Sequence, residues 1–289
     1  GRTLGMKIAV ASGKGGTGKT TLSLALAEAL ANGCTLLDCD VEEPNCHLFV
    51  AGEPWRQLPV EVTVPEFTND GCDGCGRCVR ACRFQALARL GKRVLVFPEM
   101  CHSCGGCVLA CPHKVLREVP FGIGKLELRH GRGFELISGV MDVGHAMAPP
   151  LIRQLKEHIP PEGLVIMDAP PGTACSMVMT VRNNDFVILV TEPTPFGLHD
   201  LKLAVETLRE IDLPCGVVIN RADDGVALIR DYCQEAGLPV LLEIPYRRDI
   251  AEGYSRGGGL LAVCPDLRES FRTLLNTQIP AILQAEGRL

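Results

Sequence analysis

The chain has 289 residues, 46% of them hydrophobic, and a formal net charge of −5. That length carries one large domain or a domain plus a small module, and the acidic balance argues against broad nucleic-acid binding. No stretch approaches the roughly 18 uninterrupted apolar residues of a membrane span. No secretory signal is visible, since Met6 opens directly into a short apolar run; Gly1–Gly5 ahead of it read as a cloning remnant. Fifteen cysteines, clustered rather than scattered, point to metal ligation in a reducing cytoplasm and away from disulfides.

In chain order, residues 6–11 (MKIAVA) read as a buried strand. SGKGGTGKTT (Ser12–Thr21) follows, then the Ala/Leu-rich helical pattern LSLALAEALANG, closing at Gly33. Strand, glycine loop and helix form the context of a phosphate-binding loop. Gly13, Gly15, Gly16 and Gly18 let backbone N–H groups, that of Thr17 included, turn onto phosphate oxygens. The helix start at Thr20 and Thr21 adds its dipole. Lys19 is placed to reach the β- and γ-phosphates of ATP or ADP, and the Thr20 hydroxyl to serve Mg²⁺. Lys14 is a second lysine that such a loop does not require. The next strand, in CTLLDCDVEEPN, ends at Asp38 and Asp40.

A dense cysteine run comes next. CDGCGRCVRAC (72–82) and CHSCGGCVLACP (101–112) each carry C-x₂-C-x₂-C-x₃-C. This is the spacing of bacterial ferredoxins with two 4Fe–4S clusters, where the fourth cysteine of each run serves the other cluster. Cluster one then takes Cys72, Cys75, Cys78 and Cys111; cluster two takes Cys101, Cys104, Cys107 and Cys82. Zinc is the competing metal, but it needs four ligands, not two repeated runs. Arg83 stands where a proline commonly follows. The insert spans 63–119, entered at VPEFTND and left at VLREVP, and it divides a larger domain into 6–62 and 120–289. So small a unit needs its clusters as staples.

Beyond the insert, GLVIMDAPPGT (163–173) reads as a strand ending in Asp168, and 186–191 as another. Residues 198–210 read as a helix. Strands at 215–219 and 239–243 flank a helix at 225–236. A last helix covers 266–285, kinked at Pro280, its apolar positions suited to core packing rather than to a membrane. This alternation predicts an α/β fold, a doubly wound and mostly parallel sheet with ligands at the strand C-terminal ends, plus an inserted α+β ferredoxin-like module.

KGGTGKT, the D-x-D at Asp38 and Asp40, DAPPGT and CGVVINR together resemble the deviant Walker A ATPases of the MinD/ParA/Mrp superfamily. With the cysteine insert, the resemblance is to members carrying a ferredoxin domain, and it runs from Met6 to about Phe271. VTEPTPFGLHDL (190–201) and IPYRRDIAEGYSRG (244–257) also match that group. The resemblance implies that Lys14 reaches the partner's nucleotide across a dimer and that Asp40 positions the attacking water. It places Asp38 near Mg²⁺, and Asp168 on Mg²⁺ through water. It aims the Gly172 N–H at the γ-phosphate. Asn220, with Arg221 beside it, contacts adenine, and the backbone after Pro245 borders it.

The implied protein is a cytoplasmic ATPase, as a homodimer or a heterodimer of paralogues. Nucleotide gates electron transfer through two 4Fe–4S clusters to a redox partner protein. Two alternatives are a metallocluster-assembly ATPase and a positioning ATPase with clusters as redox sensor; eight ligands for two stable clusters favour electron transfer. Cys34, Cys39, Cys46, Cys215, Cys233 and Cys264 read as packing residues. Cys175 has the offset from Asp168 of a cluster ligand in the nitrogenase iron protein, but no second cysteine stands at Gly139–Met141. His102 and His113 read as neighbours of ligands.

Overall fold

KIAVA, CTLLD, LVIMD and FVILVT have almost no polar side to turn toward water. Such strands require cover on both faces, as in a parallel sheet clothed by helices. The structure, a computed structural model, describes residues 5–30, 33–68, 71–144, 147–247 and 259–288. The first half comprises β1 (Lys7–Ala11), α1 (Lys19–Ala29), β2 (Cys34–Asp38), β3 (Arg56–Phe67), α2 (Arg77–Ala81), β4 (Leu87–Leu90), β5 (Arg93–Val96), α3 (Gly106–Leu109), β6 (Leu116–His130) and β7 (Phe134–Met141). The second comprises α4 (Ala148–Lys156), β8 (Leu164–Asp168), α5 (Cys175–Val181), β9 (Phe186–Thr191), α6 (Pro195–Glu210), β10 (Cys215–Ala222), α7 (Val226–Ala236), β11 (Val240–Pro245), α8 (Leu260–Val263), α9 (Leu267–Thr273) and α10 (Ile279–Ala285).

Among the described residues, nine strands form one sheet in the order β11–β10–β9–β1–β8–β2–β7–β6–β3. Neighbours from β11 to β7 are parallel, as the apolar runs predict. Two cores lie on its two faces. One joins Leu22 and Leu26 of α1 to Phe271, Leu275 and Ile279 near the C-terminus. The other joins Leu151 and Leu155 of α4 to Met177, Leu201 and Ile229. Helix α6 begins at Pro195, earlier than expected, because Thr194 Oγ1 accepts the Gly197 N–H and proline suits a first turn. Near the C-terminus a π-type turn, Leu274–Gln278, separates α9 from α10. Pro280 has no N–H to donate and falls in the first turn of α10, directly after that widened turn.

The sequence did not announce β3, β6 and β7. β7 lies parallel to β2, β6 runs antiparallel to β7, and β3 closes the edge antiparallel to β6. The ladder of β3 and β6 extends from Arg56↔Leu128 to Phe67↔Leu116, but β6 pairs β7 only from Gly124 to His130. The outer half of this ribbon therefore leaves the sheet. It does so at a bulge, where Val60 faces Gly124 and Glu61 faces Gly122. Gly124 has φ +156°, and a side chain there would strike the Val140 carbonyl. Both strands pass residues 63 and 119 without interruption. Beyond the ribbon's tip lie α2, the β4–β5 hairpin and α3, around a small core of Cys78, Leu87, Val94, Cys107, Cys111, Val115 and Leu116. Both short helices follow a left-handed glycine, Gly76 (φ 67°) and Gly105 (φ 68°).

Candidate functional site

The loop after β1 opens into a cleft of about 460 Å³. The cleft gathers Gly15, Gly16, Gly18, Lys19, Thr20 and Thr21 from the loop and α1. Asp40 comes from the segment after β2, Asn220 and Arg221 from β10, and Pro245 from β11. All stand at or after strand C-terminal ends, where parallel sheets hold ligands. Beneath Thr20 lies a buried acidic pair. Asp168 Oδ2 accepts from the Thr20 hydroxyl at 2.6 Å and Asp168 Oδ1 from Ser23 at 2.8 Å. Asp38 Oδ2 accepts the Asn45 and Cys46 N–H groups at 3.1 and 3.0 Å. Asp38 Oδ1 is buried with no hydrogen-bond partner among the described residues. That orphan oxygen beside Asp168 and the Thr20 hydroxyl fits the oxygen set Mg²⁺ prefers.

Burial dominates the charges. It pushes the Asp38 and Asp168 carboxyls up from the ordinary range, and the Asp168 charge adds to the rise at Asp38. Burial, then Asp168, pushes Asp40 up to about 6. Burial also lowers Lys19, against the pull of Asp168 and Asp40. A carboxyl with a raised folded pKa stabilises fully below its unfolded value of about 4, and that contribution is lost as pH rises through the folded value. The protein free of nucleotide and Mg²⁺ is therefore expected to lose stability as pH rises through about 6, where Asp40 ionises, toward about 8, where Asp38 does. Asp38→Asn should flatten this profile and raise the Tm at pH 8 by about 5 °C. Melts in EDTA from about pH 5.5 to 8 check it. A wild-type profile as flat as that of the variant refutes it.

The cysteine runs converge on two further pockets. Cys72, Cys75, Cys78 and Cys111 line one; Cys82, Cys101, Cys104 and Cys107 line the other. Each pocket thus takes three cysteines from one run and the last cysteine of the other. All eight are free thiols. His113 pairs with Asp73 at 3.1 Å beside the first pocket, and His102 stacks on Phe84 beside the second.

Residues 8–260 match the family described as the CobQ/CobB/MinD/ParA nucleotide binding domain. The chain belongs to that family. An uncharacterised protein of Methanocaldococcus jannaschii is 34% identical over 221 residues, 75% of this chain and 78% of its own. The iron–sulfur cluster carrier protein of Aquifex aeolicus is 29% identical over 117 residues, 35% of this chain and 32% of its own. The cell division ATPase MinD of Pyrococcus furiosus superposes with TM-score 0.58 at 20% identity, covering 93% of this chain and 96% of that one. At that identity the likeness is one of fold.

In this nucleotide-binding domain, several of the expected site residues make contacts within the chain. Lys14 does not line the cleft; its ammonium lies 3.7 Å from Glu192, which also holds Arg221 at 2.7 Å. The Gly172 N–H, expected to face a phosphate, donates to the Ser12 carbonyl at 3.1 Å. Asn220 donates to the Thr17 carbonyl at 2.8 Å, and a side chain on Gly18 would strike its amide, so Asn220 also clamps the loop. Gly13 admits the Asp200 backbone, which any side chain there would hit. Most of IPYRRDIAEGYSRG falls at 248–258, outside the described residues. Sequence reasoning missed Glu192, and it set Cys46 aside as packing. The Cys46 thiol is buried 3.7 Å from Asp168 Oδ2, and Asp38, Cys46 and Asp168 offer ligand atoms within 4.8 Å of one another. No helix among the described residues is long and apolar enough to cross a membrane. Cys175 is exposed at the start of α5, and Gly139–Met141 lies in β7.

Proposed function

We propose that the protein hydrolyses ATP as a dimer and that its nucleotide state controls electron transfer, through two 4Fe–4S clusters, to a partner protein in the cytoplasm. One observation carries the cluster assignment: each pocket receives the fourth cysteine of the opposite run. Two independent zinc sites have no need of that exchange, whereas the ferredoxin spacing requires it. Eight free thiols in two groups of four are a donor set that fits two cubanes. When bound, such clusters store and release single electrons.

On the nucleotide side, Lys19 and the loop N–H groups bind phosphate, and Mg²⁺, when bound, offsets its charge. Asp40 orients water and Lys14 completes the partner's site, as in the family resemblance. A hydrogen-bonded route links that site to the ribbon. The Val41 carbonyl, next to Asp40, accepts the Met141 N–H at 2.9 Å, and the Asp142 N–H donates to the Ile123 carbonyl at 3.0 Å. Ile123 is the bulge residue where the ribbon leaves the sheet. A nucleotide that favours one position of Asp40–Val41 therefore biases the cysteine unit, given two states of different affinity.

The test compares ATP- and ADP-bound protein anaerobically, by cluster EPR, midpoint potential and rate of oxidation by an added acceptor. The expected result is a change in at least one of them that Lys14→Gln abolishes. Identical values in both states leave the two halves merely fused. The Aquifex carrier relative supports a second reading, cluster delivery. Under it, iron should pass to an acceptor apoprotein, while under electron transfer it stays with this chain.

A further inference from the structure

Charge is unevenly spread along this chain. Residues 63–119 hold eight lysines and arginines against five aspartates and glutamates, while the rest holds 21 against 29. The excess is also uneven within the cysteine unit. Around the first pocket, Arg80 Nη1 donates to the Cys75 carbonyl at 3.0 Å and Arg89 Nη1 to the Gly74 carbonyl at 2.6 Å. Arg77 lies one turn before Arg80 on the same side of α2. Lys92, at the tip of the β4–β5 hairpin, is brought against Gly74. Lys114 follows His113 on the other rim. All five are exposed. The one acid lining this pocket, Asp73, is already paired with His113. The second pocket carries less: Glu118 lines it, Glu99 lies close to Cys101, and beside it stand Arg83, between the lining residues Cys82 and Phe84, and Arg117, which is paired with Glu66.

Two of these cations have a local task, since Arg80 and Arg89 tie down the loop that carries Cys72, Cys75 and Cys78. Arg77, Lys92 and Lys114 do not, for their side chains form no ion pair among the described residues. Five exposed cations at one rim, in a chain of net negative charge, form a field that steers a negatively charged partner to that rim and repels a positive one.

We propose that the first-pocket rim, built on Arg77, Arg80, Arg89, Lys92 and Lys114, is the docking surface for an acidic one-electron carrier protein. The inference rests on the cluster reading above. In the transfer, one electron leaves a reduced cluster for one acceptor molecule, and no bond in the chain is made or broken. The mixed-charge rim of the second pocket takes no part in this docking.

The test uses the cluster-loaded full chain, reduced and freed of excess reductant, in stopped-flow mixing with two acceptors of opposite charge: an acidic flavodoxin and a basic cytochrome c. Iron and sulfide are assayed on every sample. Raising salt from about 20 to about 500 mM should slow transfer to flavodoxin on the order of 10-fold and should not slow transfer to cytochrome c. The double variant Arg77→Glu/Lys92→Glu keeps the arginines that bond the loop. With full iron it should lose the flavodoxin salt dependence and become faster toward cytochrome c. Unchanged salt dependences at full iron overturn the docking surface while leaving the clusters intact. A chain that takes up no iron overturns the cluster reading itself, and the docking proposal with it. Salt-sensitive binding of a single-stranded oligonucleotide, lost in the same variant while flavodoxin kinetics stay unchanged, assigns the patch to nucleic acid and also overturns it.

Discussion

Replacing Lys19 with alanine is expected to weaken nucleotide binding by on the order of 10²-fold, or about 3 kcal/mol, without changing metal content elsewhere in the chain. Lys19 is 7% exposed and lines the cleft at the start of α1. Asp168 and Asp40 favour its charged form against the cost of burial. Without the ammonium, those two carboxyls face an incoming phosphate uncompensated, so the loss exceeds that of one surface contact. Lys14→Gln makes the contrast. Its side chain sits at the rim against Glu192, so binding should stay within about 3-fold of wild type while hydrolysis collapses. Titration with a fluorescent ATP analogue and a phosphate-release assay separate the two. Equal binding losses in both variants refute the division of labour between the lysines.

Cys111→Ala should halve the iron of the anaerobically reconstituted protein, from about eight to about four per chain. The informative result is which partner substitution is silent beside it. Cys111 shares its pocket with Cys75 and not with Cys104. Cys75→Ala/Cys111→Ala should therefore keep about four iron, and Cys104→Ala/Cys111→Ala should keep almost none. The reverse pattern refutes the exchange of fourth cysteines. Cys233→Ala, at a buried cysteine of α7, serves as control, with lowered stability and unchanged iron. Cys111 also belongs to the small core with Leu87, Val94 and Val115, so its loss should lower the melting temperature of the cysteine unit.

The parts of this protein readable in its sequence are those set by local spacing. The phosphate loop is one strand, one turn and one helix start, and its lysine and threonine reach the cleft without help from distant chain. The cysteine runs are equally local, and a repeated run suffices to imply which thiols share a pocket. What stayed hidden depends on partners far away. β3 and β6 carry prolines, glycines and charges through an edge ribbon, so no apolar run marks them. Glu192 meets Lys14 and Arg221 only because β1, β9 and β10 end side by side. Cys46 looks like filler in the sequence, but the turn after Asp38 folds it back onto Asp168. The Gly172 N–H has a carbonyl partner that only the packing of two loops supplies.

The sheet ends on β3, a strand of 12 residues that among the described residues pairs with a strand on one side alone, with Gln154 Nε2 of α4 donating to its Glu61 carbonyl at 2.6 Å. A free edge of that length is a template for strand addition and for aggregation. Pro59 and Pro65 lie an even number of residues apart on it, so both fall on the same side of the ladder. Neither can donate to β6, which places the missing donors on the outward side. Glu61, between them, adds a charge. A second copy approaching this edge meets gaps where it needs hydrogen bonds. Self-association by a continuous intermolecular sheet is thereby disfavoured on this flank, and β11 is the edge of the sheet that keeps that route.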